Sequence, residues 1–517
     1  MTQKGYVGVP EEPYRSKFTP EVGPYYGFEG EGTHAVPLQG IPLYQGEGNN
    51  QEGLKRFVVQ GYKDVWAAIL YILCILATIG FGTYNTISQN FSDFISDSVV
   101  HLFWRCSDEC CSVFLSVLFF VSSVSSVILS LFSLSLMKRF PHDMIITANL
   151  LFFAVCIVGF LLSILWGNLY LLLLCLGLFI VHWLCFTELR NRVPFAAELL
   201  KSSSTVVCNY KALCAVNVVL FGMFTLFLVL WCSAFSALSN VLSKQPDPSS
   251  GVSGKRGNSF LIISVYLLHL MLLFVMFWAT QVTTNLMHVT TAGLTATWYF
   301  AGKENMPKNP TLASFKRGTT TSFGSICFGS LLVAIIRLIR WLVSTAEDSE
   351  HEILRCIFLC IIGCLESLME YFNTYAFVHV AIYGCGYTEA AKMTWELYKR
   401  CSCAALFSCF FVDAMLCLFA VLSALLVCAV VCTAYGLVFD LSFGILHITA
   451  EIFVFSFGVC MLVHLFVFSS VTSAVTTLFV CYAEVPEGLE HSSPDLYAAL
   501  QRTDQNGTSN GAAPPRV

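Results

Sequence analysis

Long apolar stretches without charged residues recur along the chain, and most of the lysine and arginine residues lie between them. A helix needs about 20 predominantly apolar residues to cross a bilayer, so each such stretch predicts one spanning helix. The stretch from 144 to 187 is too long for one helix, and Trp166-Gly167-Asn168 predicts a break within it. The pattern therefore predicts ten spans, at 65–84, 112–137, two within 144–187, 212–240, 260–289, 322–342, 353–383, 403–436 and 443–478.

The composition leads to the same fold class. Of 517 residues, 56% are apolar and only 12% are charged, whereas a soluble domain has about 25% charged residues. A single soluble core stops growing near about 250–300 residues, so a soluble globule is excluded and an all-α membrane protein is expected. We expect residues 1–56, rich in Gly, Pro, Tyr and Glu, to be a disordered tail, 57–482 to be the polytopic membrane domain and 483–517 to be a second tail.

The distribution of positive charge predicts the orientation of the spans. Loops on the cytosolic side of a membrane carry an excess of Lys and Arg, and this excess places both termini in the cytosol. The sequon at Asn90 then lies in the first outer loop, where a glycan can be attached. The net charge of −5 excludes a strongly basic nucleic-acid binder, and no nucleic-acid partner is expected.

Four motifs in the second half of the chain carry a family resemblance. They are Thr291–Phe300 (TAGLTATWYF), Phe323–Arg340 (FGSICFGSLLVAIIRLIR), Phe372–Gly384 (FNTYAFVHVAIYG) and Thr477–Glu487 (TLFVCYAEVPE). In this order they resemble the choline transporter-like family. The resemblance implies a ten-helix carrier of choline and related amino alcohols such as ethanolamine. The short first outer loop, 85–111, resembles fungal and protist members, and Arg337 stands where the family often has a glutamine.

The eighth predicted span contains two carboxylates. Glu366 and Glu370 are four residues apart and share a helix face, while Tyr371 and Tyr375 form a stripe nearly opposite. An ionisable side chain inside a membrane is costly and needs a reason. Two interpretations remain open: a polar seam sealed by neighbouring helices, or carboxylates and tyrosines along a cation path.

The sixth predicted span offers Trp278, with Gln281 on the same arc. A quaternary ammonium has no N–H to donate, so aromatic faces and a nearby carboxylate hold it. Trp278 is either an aromatic wall of such a site or a side chain packed between helices. We expect an irregular stretch after Glu370, and a site at mid-membrane between the sixth and eighth spans.

Other ionisable residues lie nearer the predicted span ends. Arg337 and Arg340 are expected to extend to the interface, and Asp413 to be capped or solvated near the cytosolic end of the ninth span. His447 and Glu451 lie one turn apart on the tenth span, and form either a proton-binding pair or a hydrogen bond between helices.

Together with these residues, the family resemblance implies a carrier of choline or a similar small cation, working by alternating access and driven by membrane potential or proton exchange. Its expected location is the plasma membrane, without cofactor or metal; the oligomeric state is not indicated. The expected binding residues are Trp278, Gln281, Glu366, Glu370, Tyr371 and Tyr375, with His447 and Glu451 as the proton-linked pair. The alternative is a membrane-organising or lipid-moving protein of the same fold. An enzyme is disfavoured because the spans contain no HExxH motif, paired Asp or nucleophile constellation.

Overall fold

The computed structural model describes residues 61–88, 109–190, 193–243, 257–302, 306–345, 352–401, 403–438 and 446–508. The described residues form helices joined by short turns, and no strand occurs among them. The expected tail at 1–56 and the sequon at Asn90 lie outside the described residues.

Ten long helices correspond to the ten predicted spans. They are α1 (Val65–Ser88), α2 (Glu109–Arg139), α3 (Pro141–Leu165), α4 (Leu169–Leu189), α6 (Lys211–Ser243), α7 (Gly257–Ala301), α9 (Phe323–Thr345), α10 (Glu352–Tyr383), α12 (Cys403–Val438) and α13 (Leu446–Glu484). Eight of these are long and apolar enough to cross a membrane. In α4 the apolar part is shorter, Leu169–Leu184, and α10 is 32 residues long but contains Glu366 and Glu370. The predicted fold class, a multi-pass all-α membrane protein, is confirmed.

The predicted break between α3 and α4 is present. Gly167 has a positive φ of 65°, a conformation that glycine adopts without steric cost. The side chain of Asn168 then caps α4 by accepting a hydrogen bond from the backbone N–H of Leu171 at 3.1 Å. Two apolar helices are thus joined by a three-residue turn.

Five further helices occupy segments that the sequence analysis treated as loops or tail. They are α5 (Val193–Asn209), α8 (Pro310–Thr319), α11 (Tyr387–Arg400), α14 (Glu487–Ser492) and α15 (Pro494–Thr508). Each longer one is amphipathic: α11, for example, buries Ala390, Thr394 and Leu397 at helical spacing and exposes charged residues between them. A search for long uncharged stretches does not detect such helices.

The central helix of the described bundle is α7, which is 45 residues long and packs against α6, α8, α9, α10 and α13. Its second half is the most buried part, and residues 288–297 are all buried. The irregular stretch expected after Glu370 is absent, because α10 continues as one helix to Tyr383. Its polar side chains bond to neighbouring helices or to its own carbonyl oxygens, so the helix need not break to satisfy them.

The last described helices pack onto the membrane domain. Leu489 on α14 and Leu496 and Leu500 on α15 are buried, and α14 contacts α7 while α15 contacts α5. The hydroxyl of Tyr299 donates to the carbonyl of Val485 at 2.9 Å, which ties the end of α7 to the start of this segment. The expected tail at 483–517 therefore contains two packed helices up to Thr508.

Candidate functional site

Two arginines of α9 and two glutamates of α10 form an ion-pair cluster. Arg337 donates from Nε to Glu366 at 2.9 Å and from Nη2 to Glu370 at 2.5 Å, and Arg340 donates from Nη1 to Glu366 at 2.8 Å. The expected extension to the interface is wrong for Arg337, which both glutamates hold, and stays a prediction for Arg340, whose side chain is 52% exposed while it binds Glu366. Arginine binds carboxylates in a forked geometry, and the two glutamates on the facing helix supply the acceptors.

Helix α7 completes this cluster on its other side. Gln281 donates to Glu370 at 3.1 Å, and Asn285 donates to Ser330 of α9 at 2.9 Å. The four charges of Arg337, Arg340, Glu366 and Glu370 sum to zero, so the cluster is electrically balanced as it stands. A substrate cation that binds these glutamates competes with the arginines for them.

Trp278 lies away from the tyrosines with which it was expected to form one site. Its side chain is fully buried, its Nε1–H donates to the carbonyl of Cys327 at 3.0 Å, and its ring contacts Tyr71 and Phe274 at centroid distances of 5.2 and 5.7 Å. These contacts lie on α1, α7 and α9. Trp278 therefore packs between helices in this conformation.

Tyr371 and Tyr375 lie on the opposite face of α10 from the glutamates. Their hydroxyls are hydrogen-bonded at 2.8 Å and their ring centroids are 5.1 Å apart. Tyr398 of α11 approaches the ring of Tyr375 at 5.3 Å, and Phe479 of α13 approaches it at 6.2 Å. Burial raises the pKa of Tyr398, so its phenol remains protonated at physiological pH.

Asp413 of α12 lies near these tyrosines. Its carboxylate accepts a hydrogen bond from Thr472 and acts electrostatically on Tyr371 and Cys409. Its Oδ1 atom is buried and has no hydrogen-bond partner among the described residues, and neither has the hydroxyl of Tyr398. The expected solvation is wrong for Asp413 Oδ1, whereas the expected position near the end of the span agrees with a candidate span that begins at Val412.

Two polar connections lie at the end of the bundle that is predicted to be cytosolic. Asp64 accepts hydrogen bonds from the backbone N–H of Tyr387 and from Ser325 Oγ, both at 2.8 Å, and so joins the start of α1 to α9 and α11. The phenol of Tyr387 donates to Asn373 of α10, and burial raises its pKa to about 12, which keeps it protonated. The residue just before α1 thereby joins α9 to α11.

The second connection joins α10 to α13. His379 Nε2 lies 3.0 Å from Glu484 Oε1, and the hydroxyl of Tyr383 donates to Glu484 Oε2 at 2.6 Å. The other ring nitrogen, Nδ1, faces the carbonyl of Tyr375 at 3.0 Å. For the expected proton-linked pair, His447 and Glu451, the structure gives only their place in the first turns of α13, because their side chains lie outside the described part of the chain.

Long apolar helices that hold charged and polar clusters between them define a multi-pass membrane protein with a polar interior. Residues 171–487 match the family described as plasma-membrane choline transporter. The chain therefore belongs to the choline transporter-like family.

Curated relatives agree with this assignment. A CTL-like protein of Dictyostelium discoideum is 28% identical over 467 residues, which cover 88% of this chain and 78% of the relative. Protein PNS1 of Gibberella zeae is 29% identical over 520 residues, which cover 96% of this chain and 92% of the relative. The family supports a role as a membrane transporter of a small molecule.

Proposed function

We propose that this protein carries choline, or a related small cation such as ethanolamine, across the plasma membrane by alternating access. The observation that carries the proposal is that α10 places carboxylates on one face and tyrosines on the other, inside a bundle of apolar helices. Both kinds of group stabilise an organic cation. The description of the matched family, which names choline and the plasma membrane, supports the same proposal.

The driving force follows from the charge of the substrate. A cation with one positive charge gains about 2.3 kcal/mol per 100 mV when it moves inward across an inside-negative membrane. Membrane potential is therefore sufficient to drive uptake. Exchange against protons is the other proposed route, with His447 and Glu451 as its proposed proton-linked pair.

The cluster around Glu366 and Glu370 takes the role of a gate in this proposal. Arg337 and Arg340 together neutralise the two carboxylates, so a path along this face of α10 is closed to cations while the ion pairs are intact. Separation of α9 from α10 frees the carboxylates and opens the path. Gln281 also donates a hydrogen bond to Glu370, and in this proposal it keeps that bond when α9 separates from α10.

Ligand-dependent stability of the purified protein tests the proposal. A ligand that binds the folded state raises its stability by RT ln(1 + [L]/Kd), or about 2.7 kcal/mol at 100 times Kd. Choline should raise the unfolding temperature in a saturable manner, whereas dispersed phosphatidylethanolamine should not. Stabilisation by the phospholipid alone would support the alternative, a membrane-organising or lipid-moving protein.

A further inference from the structure

We propose that Tyr371, Tyr375, Tyr398 and Asp413 form the binding site for an organic cation that carries a quaternary ammonium and a hydroxyl group. The inference rests on the proposed function and places the substrate on the tyrosine face of α10. The site is thus separate from the ion-pair cluster around Glu370, and Trp278 is not part of it.

Charge is the first argument for this site. Asp413 is the second residue of the candidate span Val412–Thr433 within α12, so it lies at the end of that span that is predicted to be cytosolic, and its Oδ1 atom is buried. A carboxylate there is costly unless a cation or several hydrogen bonds accompany it. Thr472 supplies one neutral hydrogen bond, while Glu366 and Glu370 each have an arginine. No ion pair involves Asp413 in the part of the chain that the structure describes, so either a proton or a bound cation is left to balance its charge.

Aromatic rings are the second argument. Tyr371, Tyr375 and Tyr398 lie in a row, with neighbouring centroids 5.1 and 5.3 Å apart. Tyrosine faces attract a trimethylammonium group, which cannot donate hydrogen bonds, when it lies within about 6 Å of the ring centroid. A row of tyrosines next to a carboxylate matches this chemistry better than the balanced cluster on the other face of α10.

Two buried polar atoms without a hydrogen-bond partner match the hydroxyl group of the ligand. Asp413 Oδ1 is a hydrogen-bond acceptor and the Tyr398 hydroxyl can both donate and accept, and both atoms are buried without a partner among the described residues. A hydroxyl two carbons from the ammonium could donate to the carboxylate and accept from the phenol. Buried polar groups without partners are rare in native structures and indicate that something else satisfies them.

The rings pack against one another in this conformation, so a bound cation must separate them. Tyr398 is carried by α11, a 14-residue amphipathic helix outside the membrane-spanning helices. Movement of α11 relative to α10 would open the space between Tyr375 and Tyr398. The present conformation is then a closed one.

The experiment compares two cations on the purified full-length protein. Choline has the hydroxyl and tetramethylammonium lacks it, and the dissociation constant of each is measured by ligand-dependent thermal stabilisation. Asp413→Asn keeps the shape and removes the charge, and Tyr398→Phe removes only the hydroxyl. The controls are Asp495→Asn and Tyr170→Phe, which make the same changes at exposed positions on α15 and α4.

Asp413→Asn should weaken both cations at least about tenfold, which corresponds to about 1.4 kcal/mol. Without ligand it should unfold at the same or a higher temperature than the wild type, because it removes an uncompensated buried charge; a purely structural Asp413 would lower that temperature. Tyr398→Phe should weaken choline by about two- to tenfold, the range of one net hydrogen bond, and leave tetramethylammonium unchanged. Both controls should match the wild type.

The possible outcomes test the proposed binding site and the proposed function separately. Equal affinities in the wild type, Asp413→Asn and Tyr398→Phe overturn this site and leave choline transport standing. If the wild type binds tetramethylammonium, Asp413→Asn abolishes this binding and the protein does not take up choline, the site is supported and the proposed function is overturned. A wild type that binds neither cation overturns both.

Discussion

Breaking the Arg337–Glu366 ion pair should destabilise the protein much more than breaking an exposed ion pair of equal length. Arg337 Nε and Glu366 Oε1 are 2.9 Å apart, and the Glu366 side chain is 11% exposed. Lys399 and Glu396 on α11 are also 2.9 Å apart, but their side chains are about half exposed. The second pair lies within one helix at spacing i, i+3 and is in contact with solvent, which makes it a control for an ion pair that holds no helices together.

The expected magnitude follows from burial. Two unit charges about 4 Å apart attract by about 4 kcal/mol at an effective dielectric constant of about 20, and removing one partner of a buried pair typically costs about 3–5 kcal/mol. Arg340 continues to bind Glu366 after Arg337 is lost, and Arg337 is itself 26% exposed. We therefore expect Arg337→Gln to lower the free energy of unfolding by about 2–3 kcal/mol.

The assay is a double-mutant cycle of unfolding in mixed micelles. Arg337→Gln, Glu366→Gln and the double variant should give a coupling free energy of about 1–2 kcal/mol, because each partner stabilises the other in a partly buried site. Lys399→Gln with Glu396→Gln should give less than about 0.5 kcal/mol. A coupling at Arg337–Glu366 no larger than that of the control would show that the cluster does not hold α9 to α10.

Three further predictions follow from the topology, from Asp64 and from Trp278. Asn90→Gln should abolish any glycosidase-sensitive gel shift in a glycosylating host; a shift that survives the change would contradict the predicted orientation. Asp64→Ala should lower the free energy of unfolding by about 0.5–2 kcal/mol, as the loss of a helix cap does, while Asp64→Asn keeps an acceptor for Tyr387 and should cost less; equal losses in both would rule out capping. Trp278→Phe should lower the free energy of unfolding by about 1–3 kcal/mol, because the buried carbonyl of Cys327 loses its donor, and should change the dissociation constant of choline less than twofold; a larger loss of affinity would return Trp278 to the binding site.

The long helices were predictable from the sequence because the bilayer imposes a simple rule. Each span must be long, helical and apolar, so long stretches with few charged residues locate all ten long helices, and the break at Gly167 followed from residues that favour a turn. The short helices α5, α8 and α11 follow a different rule. They combine charged residues with a narrow apolar face, and their stability depends on packing against α7, α10 and their neighbours, which no local pattern specifies.

The candidate site was predictable only in part, for a related reason. Helical spacing correctly placed Glu366 with Glu370 on one face of α10 and Tyr371 with Tyr375 on another, since spacing within one helix is a local property. Which neighbouring helix packs against each face of α10 is not a local property. The partners of the glutamates came from α9, and those of the tyrosines came from α11 and α12. Position relative to the end of an apolar stretch was a poor guide to the surroundings of Arg337 and Asp413.

Uptake of radiolabelled choline into liposomes that contain the purified protein is the most direct test of the central proposal. With an inside-negative potential of about 100 mV, a carrier driven by potential should accumulate choline up to roughly 50-fold at equilibrium, and a proton exchanger should respond to an imposed pH gradient instead. Uptake should saturate with choline and exceed that of empty liposomes under at least one of these conditions. Choline entry equal to that of empty liposomes under both a potential and a pH gradient would contradict the account.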